Sequence, residues 1–147
     1  MVNETEKLNQ LKRNFESYTY YSASIKEVDL KIIEINTRLE GLSSPRVKEV
    51  FIENKSYQNN IIELTERKER LEKQKKKYQA KIYALQCLVE LIPDRRDKFF
   101  VEDYYFKKMP KKDIAKKYNY HVAGVSRKLN NVLLEIIKNH LYRDFDA

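Results

Sequence analysis

Apolar residues recur at intervals of seven through the first two thirds of this 147-residue chain. Leu11, Tyr18, Ile25, Ile32 and Leu39 hold one position of the repeat, and Tyr21, Val28 and Ile35 lie three residues further on. Steps of three and four, taken alternately, line side chains along one stripe of an α-helix, as in helices that pack along their length. The rhythm returns with Val50, Tyr57, Leu64, Leu71, Tyr78, Leu85 and Ile92 in one position. Val47, Asn54, Ile61, Lys68, Lys75, Ile82 and Val89 hold the other. The chain has only 2 Gly and 3 Pro, too little punctuation for a turn-rich β fold, so long helices are the economical reading.

The breaks between stripes set the expected organisation. Gly41 follows the first stripe, where a left-handed C-cap would sit. Ser44 and Pro45 offer a capping serine and a first-turn proline for a second helix, which Pro93 would end. The short break between the two predicts that they fold back on each other as an antiparallel coiled-coil hairpin. Asn54, Lys68 and Lys75 interrupt the second stripe, and polar residues at such places often set register or oligomer state. The sequence thus predicts an all-α protein with residues 1–92 as the hairpin, for oligomerisation or partner binding. Residues 93–147 form a second, smaller domain.

Charge narrows the choice of partner. The net charge is +8, from 30 Lys and Arg against 22 Asp and Glu, and an excess of this sign favours phosphate backbones and anionic surfaces. No apolar run is long enough to span a bilayer. The opening Met1-Val2-Asn3-Glu4-Thr5-Glu6 is polar and acidic, unlike a signal or transit peptide, so a cytoplasmic protein is expected. The single cysteine, Cys87, rules out an internal disulfide framework and reads as a small buried hydrophobe. There is no Ser/His/Asp or Cys/His arrangement, glycine-rich phosphate loop or carboxylate pair. With His121 and His140 as the only histidines, no metal site, cofactor or enzymatic activity is expected.

The positive excess is concentrated. From Lys107 to Lys128 there are eight basic residues and one acid, Asp113. This window also carries the residues that a helix-turn-helix needs. Ala115 is small enough for a close helix crossing, Asn119 tolerates a left-handed turn, and Val125 anchors a second helix on the first. Flanking helices are expected from Asp94 to about Lys107, from Pro110 to about Tyr118, and from His121 to about Tyr142. Phe99, Phe100, Tyr104, Tyr105 and Phe106 are expected in the core rather than on a base-stacking platform. Lys73, Lys75, Lys76 and Lys77, interleaved with Glu63, Glu66, Glu69 and Glu72 upstream, read as a solvated helix face rather than a phosphate-binding stripe.

With a helix opening at Val122, Val122, Ala123, Ser126, Arg127 and Asn130 are the candidate base contacts. Arg127 can donate twice to a guanine edge, Asn130 can pair with adenine, and Val122 or Ala123 can meet a thymine methyl. Lys111, Lys112, Lys116, Lys117, His121 and Lys128 are the candidate phosphate contacts.

Pro93-Asp94-Arg95-Arg96, then Tyr105-Phe106, then Asp113-Ile114-Ala115 and Val125 resemble the last helix-turn-helix region of bacterial sigma factors. The chain departs from that pattern at Asn119, where glycine is usual, at Gly124 inside the second helix, and at Lys128, where an apolar residue is usual. A long helical N-terminus before such a domain is similar in architecture to phage late-gene transcriptional regulators of the ArpU and RinA kind. The resemblance implies a regulator that binds double-stranded DNA, with a coiled coil that either forms a homo-oligomer, a dimer by preference, or contacts RNA polymerase. Two other readings stay open: a DNA-recognition small subunit of a phage packaging terminase, and a protein-only coiled-coil adaptor.

Overall fold

The computed structural model describes residues 3–42 and 55–139. All regular elements among them are helical, and the fold is all-α. In chain order they are α1 (Glu4–Glu16), α2 (Tyr18–Leu42), α3 (Lys55–Glu90), α4 (Arg95–Val101), a π-helical turn π1 (Glu102–Phe106), α5 (Lys111–Tyr118) and α6 (Val122–Lys138). The expected helix start at Ser44-Pro45, the stripe positions Val47, Val50 and Asn54, and the end of the last helix near Tyr142 lie outside the described residues.

Local chemistry explains the element ends. Asn3 caps α1 by accepting from the Glu6 backbone N–H at 2.8 Å. Ser17 separates α1 from α2: its hydroxyl donates to the Arg13 carbonyl at 2.9 Å, a back-bond of the kind that bends helices. Gly41 is no left-handed cap. The helix runs on to Leu42 and no described glycine has positive φ, because Leu42 continues the stripe three residues after Leu39. The helix before Pro93 ends at Glu90 rather than Ile92, in a tightened turn where Ile92 N–H donates to the Val89 carbonyl. Asp94 then caps α4, accepting from Arg96 N–H at 2.8 Å.

The contacts divide the described chain into two compact units, one of residues 3–22 and 80–139 and the other of 23–42 and 55–79. The boundary expected at 92/93 falls inside the first unit. Leu11 and Phe15 of α1 and Leu85, Leu88 and Val89 of α3 are buried in one core with Phe100, Tyr105, Ile114, Val125, Leu129 and Leu133. A small segment buries a smaller share of its surface, and here α1 and the end of α3 add apolar side chains to the core around α4, α5 and α6. Phe15 stacks on Tyr105 at 5.2 Å between ring centres, and Tyr18 on Phe106 at 4.0 Å.

In the second unit α2 and α3 run in opposite directions. Lys75 of α3 meets Asp29 of α2 at 2.6 Å, and Arg38 near the end of α2 shares a small cavity with Arg67, earlier in α3. All described stripe residues are buried or half-buried, while the off-stripe Leu30, Ile33 and Ile62 are exposed. Among the described residues of this unit, Val28 and Ile35 are the buried hydrophobic ones. Lys75 occupies a stripe position because its ammonium reaches Asp29 at the edge while its methylenes lie along the seam.

Candidate nucleic-acid interface

Helix α5, a three-residue turn and α6 form the basic end of the chain. Asp113 and Ile114 N–H groups both donate to the Pro110 carbonyl at 3.0 Å, which starts α5. Ile114, Ala115 and Tyr118 are buried on its inner face. Asn119 closes the helix at φ 63 and ψ 45, the left-handed conformation that asparagine tolerates. Tyr120 N–H then donates to the Ala115 carbonyl at 2.8 Å. Val125 is fully buried one turn into α6, which packs against α5.

Two buried aspartates on the preceding helical segment hold this element. Asp103 lies on π1, whose wider turn is marked by the Lys107 N–H donating to the Glu102 carbonyl at 3.0 Å. The Asp103 carboxylate accepts from the Tyr118 hydroxyl at 2.5 Å and from Lys117 Nζ at 2.7 Å, with Lys107 Nζ at 3.4 Å. Burial alone would raise its pKa. The hydrogen bonds from Lys117 and Tyr118, the Lys117 charge and the Lys107 bond outweigh burial and hold it below the usual carboxylate range. The Tyr118 hydroxyl is pushed up by its own burial and then by Asp103. Asp97 on α4 meets Lys128 of α6 at 3.0 Å. Burial would lower the Lys128 pKa, but the bond to Asp97 and the Asp97 charge leave it raised.

Arg96 completes the brace. Its guanidinium donates to the Tyr118 carbonyl at 2.5 Å, satisfying a carbonyl at the end of α5. It also lies against the Tyr118 and Tyr120 rings, 5.7 and 6.0 Å from their centres.

The expected site residues are not all available in the same way. Val122, Ala123 and Arg127 are exposed, and Ser126 and Asn130 are half-buried. Lys111, Lys112 and Lys116 are exposed, with no ion pair among the described residues. Lys117 is tied to Asp103 and Lys128 to Asp97, so both have intramolecular partners that the sequence reading did not foresee. Lys128 supplies the cation that the buried carboxylate of Asp97 needs. His121 precedes α6 in extended conformation, exposed, and its side chain makes no capping hydrogen bond.

Sequence reasoning missed Arg96, Asp97 and Asp103 as determinants of this geometry. The unusual placing of acids within an aromatic-rich segment was the available signal for the aspartates. Of the aromatics, Phe100 and Tyr105 are buried, Tyr104 and Phe106 half-buried, and Phe99 is 46% exposed beneath Arg95. Cys87 is half-buried rather than buried. Among the described residues no three His, Cys, Asp or Glu side chains come together as a metal site, and no helix is long and apolar enough to cross a membrane.

No family model, curated protein or solved structure matches this chain.

Proposed function

We propose that α5, the turn and α6 bind double-stranded DNA, with the first two turns of α6 in the major groove. In this reading the protein is a sequence-specific transcriptional regulator; the likeness of its C-terminal motifs to sigma factors supports the DNA-binding part, and the likeness to phage late-gene activators is one of architecture. The observation that carries it is the left-handed Asn119 turn, which presents an exposed α6 N-terminus directly after a helix bearing exposed Lys111, Lys112 and Lys116.

Arg127 reads a guanine edge, Asn130 an adenine, and Val122 or Ala123 a thymine methyl. The α5 lysines fix the register on phosphates. Lys117 contributes less, since one of its donors is held by Asp103. Lys128 is occupied by Asp97 and acts as structure. Gly124 supports the reading too: a Cβ built there meets nothing within 4 Å, so its absence serves no packing inside the protein and leaves room for close backbone approach by a ligand. The long helices serve assembly or contact with RNA polymerase.

Fluorescence anisotropy across a salt series tests this, using duplexes from the protein's own genome and a scrambled control. Arg127→Ala should abolish preference for the cognate duplex, a loss of about 1–3 kcal/mol. Lys116→Ala should weaken all duplexes alike and make the salt slope shallower by about one. Equal binding to every duplex, indifferent to Arg127, would refute specific readout; no binding at low salt would leave the adaptor reading.

A further inference from the structure

Helix α2 carries large apolar residues on two faces. The inward one carries Val28 and Ile35 against the unit's interior. Nearly opposite, Ala23, Lys26, Leu30, Ile33 and Thr37 step by three and four along the helix, and all five are exposed. Leu30 is 67% and Ile33 59% exposed. Thr37 turns its hydroxyl back to the Ile33 carbonyl at 2.9 Å, leaving its methyl outward. A solvated helix face normally carries charge, as the outward Arg70, Lys73 and Lys77 of α3 do. A helix apolar on two sides is one that packs on two sides.

The charges beside this stripe indicate what packs there. Glu27 pairs with Lys31 at 3.3 Å, Glu34 with Arg38 at 3.0 Å, and Asp29 with Lys75, so those are matched within the chain. Lys26 and Glu40, toward opposite ends of the stripe, have no ion pair among the described residues. They are about 21 Å apart along the helix at ~1.5 Å per residue. A surface with one unmatched cation at one end and one unmatched anion at the other is complementary to itself when reversed.

We propose that the outer stripe of α2 docks against the same stripe of a second copy of this chain, antiparallel, about a two-fold axis between Leu30 and Ile33. That places each Leu30 beside Ile33 of the second copy and brings each Lys26 within reach of Glu40 of the second copy. The contact is isologous and closes at two subunits. It identifies the face for the dimer that a DNA-reading regulator would use, but it does not depend on DNA binding.

The test is sedimentation of the full chain without DNA over a concentration series, with circular dichroism on every variant. Wild type should dimerise. Leu30→Lys combined with Ile33→Lys should weaken association by on the order of a hundredfold, at unchanged helicity, because four large apolar side chains leave the contact. Lys26→Glu should weaken it several-fold, and adding Glu40→Lys should restore it. A wild type that stays monomeric, an assembly that the double lysine variant leaves intact, or a charge exchange that fails to restore pairing overturns the proposal. Loss of DNA preference with Arg127→Ala while the dimer persists would separate this contact from the DNA reading.

Discussion

Asp103 is almost wholly buried, yet its carboxylate is the acceptor for the Tyr118 hydroxyl, Lys117 and, more distantly, Lys107. Removing it leaves a buried hydroxyl without a partner, so Asp103→Ala should cost about 2 kcal/mol in chemical denaturation. The pH dependence has a definite sign. Because the folded-state pKa is depressed, the ionised Asp103 stabilises the fold fully above the ordinary carboxylate value of about 3.9. That contribution is lost as pH falls further, through the folded-state value, so the stability gap between wild type and Asp103→Ala should narrow with acid. A gap that stays constant to low pH would mean that the charge contributes nothing. Gly124 gives the opposite kind of test. Its Cβ position is open, so Gly124→Ala should raise stability by roughly 0.5–1 kcal/mol through helix propensity alone. If the backbone there approaches DNA, the same substitution weakens DNA binding while the melting temperature rises. A gain in stability with unchanged binding would remove Gly124 from the interface.

Among elements, α1 is the one whose place decides most. Its Leu11 and Phe15 are fully buried in the core that supports α5 and α6, with Phe15 stacked on Tyr105 of π1. Phe15→Ala should therefore destabilise by about 3–5 kcal/mol. It should also lower DNA affinity, although Phe15 lies far in sequence from the basic window. Equilibrium unfolding of the variant, followed by both helicity and tyrosine fluorescence, checks the first part. A loss under 1 kcal/mol would show that α1 is dispensable to that core. Phe15 and Tyr18, three residues apart on either side of Ser17, stack on Tyr105 and Phe106 from one continuous stretch of chain.

For the whole molecule, the division into units makes the C-terminal basic region dependent on both ends of the helical region. A fragment of residues 93–147 lacks Leu11, Phe15, Leu85, Leu88 and Val89, all buried partners of its own core. It should be largely unfolded in isolation, with little dispersion in its amide proton spectrum. Adding a separate peptide of residues 1–22 should not suffice, because the α3 residues would still be missing. A folded fragment 93–147 would instead make that region an autonomous domain.

The seven-residue rhythm, the scarcity of glycine and proline, and the positions of Asn119, Ala115 and Val125 are local properties. From them the all-helical class, the inward stripe of α2 and α3, and the left-handed turn before α6 could be read directly, because each depends on neighbouring residues or a fixed helical period. What tertiary structure decided depends on which distant residues meet, and spacing along the chain does not give that. Leu11 lies on the stripe and Phe15 one residue off it, but only packing shows that they serve the C-terminal core and not the paired helices. Lys117 and Lys128 look like their neighbours Lys111, Lys112 and Lys116 in sequence. They differ because Asp103 and Asp97, more than ten residues away, are brought against them with their charges out of water. Spacing along the chain shows which residues share a face, while the cost of leaving a buried charge unpaired shows which of those residues are already spoken for.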